Sequence, residues 1–396
     1  MKAQKKKLII LTLHILTQHN LKALGCNVKN RNWEIEYWSI LPLIKPKVFE
    51  EFFKKSSKIR YKNFYYIKSF KEFLKKSNSI NNHFYYINNF NKSIVGLMTD
   101  IILSFRGGKR IFYFSGDFSG LSSIPILNII YFYYNKDKIE LLTKVFIHFF
   151  KRPYFLLLNL FFSKPKYYFY SNTNLFEKYK KIYGSNKVFA FQNNELQEFH
   201  KLKINNKKRD IVFIDQVRGE EFDAKVNKSI FTPNQKKINQ YWADVNLFLK
   251  HIEKLLKNSK VKIAAHPRRF KRNYPIKRKF FFNQTIKLIM NSQVVISSVS
   301  NSLLYALLMQ KPIILIKQKL FDYYSPITVV VLKIVQKRLD IPLIDINDVK
   351  ELNSINKKKI LQFDKKKYKD YLTKVLQINK FKNKKNIIEE IIKNVS

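Results

Sequence analysis

The 396-residue sequence has a single cysteine, Cys26, so it can neither close an internal disulfide nor build a thiolate zinc cluster, and a reducing compartment is expected. Glycine is scarce as well, with eight residues in the whole chain. That scarcity fits the absence of any glycine-rich phosphate loop: neither GxxxxGK nor GxGxxG occurs. HExxH is also missing, and no Asp-x-Asp pair is placed to hold a metal–nucleotide complex, so chemistry without a metal or a resident cofactor is expected. Long apolar runs are lacking too. The longest uncharged stretch, Phe118 to Tyr134, is interrupted by Gly120, Ser122, Ser123, Pro125 and Asn128, which argues against a spanning helix. Lys2 and Lys5 to Lys7 precede an apolar run as in a secretory signal, but Leu8 to Leu13 is too short and no small-residue cleavage site follows. A first β-strand is the expectation there.

Acidic residues are few: 28 Asp plus Glu stand against 76 Lys plus Arg, a formal charge of +48. Only 12 of the basic residues are arginine. The lysines accompany an excess of Asn, Ile, Phe and Tyr, the skew that an AT-rich genome writes. Two readings of the charge follow: lysines on solvated faces, or a basic surface held against an anionic membrane or polymer. Dedicated nucleic-acid binding is not expected. Residues 139–162 mix aliphatic and aromatic residues with Lys144, Lys151 and Arg152, which suits a buried helical hairpin or an interfacial surface.

Hydrophobic residues make up 46% of the chain, enough for packed cores, and the length suggests two domains. Short apolar runs alternate with helix-period segments, the pattern of parallel sheets wrapped in helices. A first strand series is expected at Leu8 to Leu13, Glu34 to Ile40, Phe64 to Ile67, Phe84 to Ile87, Ile111 to Ser115, Tyr167 to Ser171 and Val188 to Phe191. A second is expected at Asp210 to Ile214, Val261 to Ala265, Val294 to Ser297, Pro312 to Ile316 and Leu343 to Ile346, with helices near 235–257, 284–291 and 302–309. Between Glu195 and Arg209 the periodicity fades into a linker. The expected division is a first lobe over 1–205, a second over 210–363, and terminal helices over 364–396 that pack back on either lobe.

In open α/β sheets ligands bind beyond the carboxyl ends of strands, so polar residues just after strand runs are the candidates. Strand 261–265 empties into His266-Pro267-Arg268-Arg269. Pro267 fixes the turn, His266 can donate to a phosphate oxygen, and Arg268 or Arg269 can offer a charge-assisted contact. Seven of the fourteen residues from His266 to Lys279 are basic and none is acidic, which favours an anionic ligand nearby. Strand 294–297 runs into Ser297-Ser298-Val299-Ser300-Asn301-Ser302 and a helix. Hydroxyls, free amides and the positive helix end there make a phosphate seat, although Ser300 or Ser302 serves equally as an ordinary N-cap. Asp215 and Gln216 follow the lobe's first strand, where they reach the interlobe cleft or cap a loop. In the first lobe, Asp117 lies in a glycine-bounded loop after a strand. It is a candidate base for taking a proton from an attacking hydroxyl, or a turn aspartate satisfying its own loop.

His266-Pro267, the serine cluster 297–302 and Ala306-Leu307-Leu308-Met309-Gln310-Lys311-Pro312-Ile313-Ile314 together resemble the donor half of GT-B glycosyltransferases, and most nearly bacterial sialyltransferases and related transferases of surface polysaccharides. The likeness covers residues 210–316; before that it is architectural. It implies two doubly wound Rossmann-like lobes facing a cleft, and inverting, metal-independent transfer of a nonulosonic acid from a CMP donor. It assigns His266 to the donor phosphate, Ser297, Ser298 and Ser300 to the phosphate seat, and Asp117 to the base. Ser115-Gly116-Asp117 has one carboxylate where those families often have two. The implied partners are a nucleotide sugar, a glycan or glycolipid acceptor and an anionic membrane, with the protein peripheral at the cytoplasmic face. A CDP-polyol phosphotransferase of teichoic-acid type and a noncatalytic polyanion-binding protein are the alternatives.

Overall fold

The computed structural model describes residues 5–115, 164–202, 210–216, 235–266 and 276–395, apart from breaks at 18–24, 26–27, 29, 55–58, 60, 81–82, 89–93, 172, 174, 258, 299 and 321–325. Two parallel sheets organise the chain. The first is built from β1 (Lys6–Thr12), β2 (Trp33–Ser39), β3 (Phe64–Tyr66), β4 (Phe84–Ile87), β5 (Lys109–Ser115), β6 (Tyr167–Ser171) and β7 (Val188–Ala190). The second comprises β8 (Asp210–Ile214), β9 (Val261–Ala265), β10 (Phe280–Phe282), β11 (Ser292–Ser297), β12 (Ile313–Lys317) and β13 (Leu343–Asp345).

The helices interleave in chain order. In the first lobe they are α1 (Leu41–Ile44), α2 (Pro46–Phe53), α3 (Phe70–Asn78), α4 (Ile94–Phe105), α5 (Leu175–Tyr183) and α6 (Asn194–His200). The second lobe has α7 (Gln235–Leu255), α8 (Thr285–Met290), α9 (Leu303–Leu308), α10 (Pro326–Leu339), α11 (Val349–Asn353) and α12 (Lys357–Leu361). The chain ends with α13 (Lys365–Asp370), a π turn (Tyr371–Val375), α14 (Ile378–Phe381) and α15 (Ile387–Asn394).

The strand orders are β3-β2-β1-β4-β5-β6-β7 and β10-β9-β8-β11-β12-β13, and every pairing is parallel. Both therefore follow the doubly wound order, which reverses between β1 and β4 in one lobe and between β8 and β11 in the other. The two Rossmann-like lobes expected from the alternating pattern are present.

The second sheet forms because its central strands are apolar runs. Ile211 to Ile214, Val294 to Ile296 and Ile313 to Ile316 are all buried, as strands covered on both faces must be. Helix α7 covers one face through Ile238, Tyr241, Trp242, Val245, Phe248, Leu249 and Ile252, a 3–4 spacing that lays them along one stripe. Strand β10 was not expected. It is three phenylalanines following Lys277-Arg278-Lys279, too short a run to show a period, and it is fixed by pairing with β9.

The expected linker begins later than its polar composition suggests. Residues 194–200 form α6, capped by the Asn193 side chain, which accepts from the Leu196 amide at 3.0 Å. The C-terminal segment crosses between lobes. Tyr368, Tyr371 and Leu376 belong to the second-lobe core, whereas Ile388, Ile391 and Val395 of α15 belong to a first-lobe core with Leu8, Tyr37 and Phe169. Where it crosses, the Gln192 amide donates to Lys385 O at 2.8 Å and the Gln192 side chain donates to Lys382 O at 2.8 Å.

Candidate functional site

Three adjacent strand tips of the second sheet bring the sequence candidates together. β8 ends in Asp215 and Gln216, β9 ends in His266, and β11 ends in the serine turn; β8 lies between the other two. This is the switch point of the sheet, where diverging connections open a crevice beyond the strand ends.

Asp215 is buried at this point, 1% exposed. Its amide donates to Ala264 O at 3.0 Å, and its Oδ2 faces the His266 amide at 3.5 Å. The carboxylate thus braces the β9 tip that carries His266 and does not stand open in the cleft. Gln216 is partly buried, and its Oε1 accepts a hydrogen bond from the Ser298 hydroxyl. That bond ties the β8 tip to the serine turn.

The serines divide in their surroundings. Ser297 and Ser298 are buried, whereas Ser300 and Ser302 are partly exposed and Asn301 is exposed. The Ser297 Oγ makes no hydrogen bond among the described residues, a state that costs about 1–3 kcal/mol for a buried polar group. Ser302 does not cap its helix with its hydroxyl. Ser300 Oγ instead accepts from the Ser302 amide at 3.3 Å. Helix α9 spans only Leu303–Leu308, so the dipole expected from the sequence is that of one and a half turns. With the Ser298 proton given to Gln216 and the Ser302 amide to Ser300, the Ser297 and Ser300 hydroxyls are the groups of the turn able to receive a phosphate.

Asp117, Pro267, Arg268 and Arg269 fall outside the described residues, as does the apolar stretch 139–162. Arg278, counted in the basic run after His266, is engaged internally: Nη1 and Nη2 donate to Glu253 Oε1 and Oε2, both at 2.9 Å, and Nε donates to Asn246 at 2.7 Å. Gln318, which follows β12, is also committed. Its side chain is buried, donating to Asp244 Oδ2 at 3.3 Å and accepting from the Leu320 amide at 2.7 Å. Lys317 pairs with Asp345 at 2.9 Å. The Lys317–Asp345 pair ties the end of β12 to β13, and Gln318 ties it to α7.

Sequence reasoning missed a second group, on the first-lobe side. Helix α6 leaves the carboxyl end of β7, α9 leaves the carboxyl end of β11, and the two helices pack against each other. The carboxyl edges of the two sheets therefore converge here. At the contact the Tyr305 phenol donates to Glu198 Oε2 at 2.8 Å. Burial, with the charges of Glu198 and Glu195, holds that phenol well above its ordinary pKa. Burial also raises the Glu195 carboxyl from its ordinary value; its own backbone N–H opposes the shift and the Glu198 charge adds to it. The signal available in the sequence was Asn193-Asn194-Glu195, a capping residue followed by an acid, which opens a helix. His14 was passed over as well. It follows β1 at the first lobe's switch point, where its carbonyl accepts from the Ser39 hydroxyl at 2.9 Å. Among the described residues no group of three or more His, Cys, Asp or Glu could hold a metal ion, and no helix is long and apolar enough to cross a membrane.

No protein-family model matches the chain, and no curated protein sequence does. Solved structures give whole-length likenesses. The glycotransferase of kitacinnamycin aligns at a TM-score of 0.47 with 8% identity, covering 99% of this chain and 100% of its own. The spinosyn forosaminyltransferase SpnP aligns at 0.48 with 8% identity, covering 98% and 99%. The UDP-GlcNAc 2-epimerase of Methanocaldococcus jannaschii, solved with UDP-GlcNAc and UDP, aligns at 0.42 with 11% identity, covering 95% and 100%. The assignment of two Rossmann-like lobes rests on the strand orders.

Proposed function

We propose that this chain is an inverting, metal-independent glycosyltransferase of GT-B type that moves a nonulosonic acid from a CMP donor to a surface glycan or glycolipid. The observation that carries the transferase reading is the gathering of His266, Ser298, Ser300 and the Ser297 hydroxyl, which has no partner among the described residues, at the tips of β9 and β11 on either side of β8. Together they suit a phosphate with hydroxyl and imidazole donors. The CMP and nonulosonic-acid parts rest on the resemblance of the His-Pro and serine motifs.

In the proposed reaction the acceptor hydroxyl oxygen attacks the anomeric carbon on the face opposite the phosphate. A new C–O bond forms, the bond to the phosphate oxygen breaks, and CMP leaves with that electron pair. Donors at the serine turn and His266 offset the charge gained by the departing phosphate, in the manner of any preorganised anion site. The hydroxyl proton passes to a base on the first lobe's carboxyl edge. Asp117 is the candidate from sequence, and His14 and Glu195 are the ionisable candidates from structure. Alignment across the converging sheet edges supplies the orientation that such a bimolecular step requires. The charge of +48 supports a place against the anionic inner face of a membrane carrying the acceptor.

The test is thermal stabilisation of the full chain by CMP, CDP, UDP and GDP, repeated on His266→Ala. A CMP-selective rise in Tm that the variant loses is expected. Selectivity for UDP or GDP would overturn the donor and leave the transferase reading, preference for CDP would favour the polyol-phosphate reaction, and no shift with any nucleotide would sink the transferase reading.

A further inference from the structure

We propose that Tyr305 and Glu198 are positioning residues of the transfer reaction: their hydrogen bond pins the helix that opens on the serine turn to the first lobe, setting the donor phosphate seat at a fixed distance from the acceptor side. The inference rests on the transferase reading, and it adds a role for two residues that touch neither donor nor acceptor.

The geometry runs through a short, stiff path. The Leu303, Leu304 and Tyr305 amides donate to the carbonyls of Ser300, Asn301 and Ser302 at 3.0, 3.0 and 3.1 Å. The start of α9 and the serine turn are thus one hydrogen-bonded unit. Tyr305 is 4% exposed within that unit, so its ring cannot swing without disturbing the packing around it. Its phenol reaches across to Glu198 at 2.8 Å, and a carboxylate acceptor makes this a charge-assisted bond.

Helix α6, which carries Glu198, is itself fastened. The Gln192 amide just before it is bonded to Lys385, the Gln192 side chain to Lys382 and to the His200 ring at 3.1 Å. Leu196 of α6 is buried. One end of the pin is therefore tied through Gln192 to the C-terminal crossing, on a helix whose Phe199 also packs against the second-lobe core, and the other end lies in the serine turn.

Burial keeps the phenol protonated at any working pH, so the pin does not open by losing its own proton. Glu195, one turn earlier on α6, lies close enough to influence both partners. Lys382 and His200 are the basic groups on the elements packed at this contact. Burial favours the neutral form of the Glu195 carboxyl, which lessens like-charge repulsion beside Glu198.

A hydrogen bond of this kind matters to catalysis because misplacement of reacting groups by about 1 Å costs on the order of a hundredfold in rate. Binding of the nucleotide alone needs only the second lobe. The pin therefore predicts a split between turnover and donor affinity.

The experiment uses the full chain with three variants: Tyr305→Phe, Glu198→Ala and Glu198→Gln. Tyr305→Phe is expected to lower kcat about tenfold while donor KM and the nucleotide-induced rise in Tm stay within about twofold of the parent. Glu198→Ala should match it, the double variant should be no worse than either single one, and Glu198→Gln, whose amide oxygen still accepts, should recover most of the rate. As a readout independent of turnover, hydrogen exchange across 297–308 should quicken severalfold in Tyr305→Phe and in Glu198→Ala. Unchanged kcat and exchange in Tyr305→Phe would overturn the proposal, and so would additive losses in the double variant. An equal loss of nucleotide affinity and kcat would overturn it too, since the bond would then merely hold the second lobe together. Failure of the parent protein to bind any nucleotide would instead count against the transferase reading, while the exchange measurement would still decide whether the pin exists.

Discussion

The two lobes share a strand order but are held together differently. The second has one continuous core running from Ile211 through Trp242 and Ile314 to Leu376. The described part of the first is divided into separate clusters around Leu8, Ile9, Ile15 and Tyr168. Its strands are rich in rings: Trp38 meets Phe73 edge-on at 5.8 Å, and Tyr168 stacks on Tyr183 at 4.3 Å. Between its clusters lies a buried polar network in which Arg110 pairs with Asp100 at 3.3 Å and the Asn88 side chain donates to Asp100 at 2.9 Å. Flat rings and polar pairs satisfy one another by specific geometry, whereas aliphatic chains fill space with many interchangeable contacts. The second lobe is therefore the more uniform platform, and it is the lobe that carries the phosphate-binding candidates.

The largest expected effects probe that contrast. Trp242 is fully buried and meets Tyr241, Phe280 and Phe213 edge-on at 5.3, 5.6 and 6.4 Å. Trp242→Ala should destabilise the second lobe by about 3–5 kcal/mol in urea unfolding. Asp100→Ala should cost the first lobe a comparable amount, about 3–5 kcal/mol, by leaving the Arg110 charge buried without its counter-ion. The two should differ in repair. Adding Arg110→Met to Asp100→Ala should return much of the stability, because an apolar pair replaces a desolvated ionic one. No such partner exists for Trp242. If the double variant is no better than Asp100→Ala, the first lobe is not organised around that pair.

The same contrast explains what the sequence disclosed. Strands β8, β9, β11 and β12 are largely apolar runs, each followed by a polar residue, so both their positions and their functional tips were readable, and His266, Asp215, Ser297 and Ser298 fell at adjacent tips. Strand β10 escaped because three aromatic residues after a basic run are too few to show a period. Helix α6 escaped because its polar, partly exposed residues look like linker; its packing on α9 and the Gln192 bonds to the C-terminal crossing, distant in sequence, fix it. Charge counting misled at Arg278, whose partners Glu253 and Asn246 are 25 and 32 residues away in sequence. The Tyr305–Glu198 bond spans 107 residues, a distance over which no local pattern speaks. Asp117 and the Arg268-Arg269 pair fall outside the described residues, so the base and the guanidinium contacts stand as sequence expectations.

A smaller effect, confined to the second lobe, follows from Glu253. Burial alone would raise its carboxyl. The hydrogen bonds from Arg278 and the Val261 amide, with the charges of Arg278 and Lys260, outweigh burial and hold it below its ordinary value. A group depressed in this way stabilises the fold above its ordinary pKa and ceases to do so as the pH falls through its folded value. Glu253→Gln should cost about 1–2 kcal/mol near neutrality, a modest figure because the pair is partly solvated. The gap between parent and variant should narrow as the solution is acidified below the ordinary carboxylate range. A gap that stays constant with pH would mean that packing of the side chain, and not its charge, is what the second lobe uses.

The smallest effect tests whether the lobes are separate units at all, given that the C-terminal segment joins both. Asn386 caps α15, its side chain accepting from the Glu389 amide at 2.9 Å, and α15 buries Ile388 and Ile391 in a first-lobe core. Asn356 caps α12 in the same way, accepting from the Lys359 amide at 2.9 Å, and α12 buries Ile360 in the second-lobe core. Either change to alanine should cost about 1 kcal/mol. With separate cores, hydrogen exchange should quicken in first-lobe strands for Asn386→Ala and in second-lobe strands for Asn356→Ala, because each loss is felt by the unit whose helix has frayed. Equal quickening of both sheets by Asn386→Ala would show that the crossing welds the lobes into one cooperative unit. The α6–α9 contact would then be held closed by the fold as a whole, and the Tyr305–Glu198 bond would have little left to set.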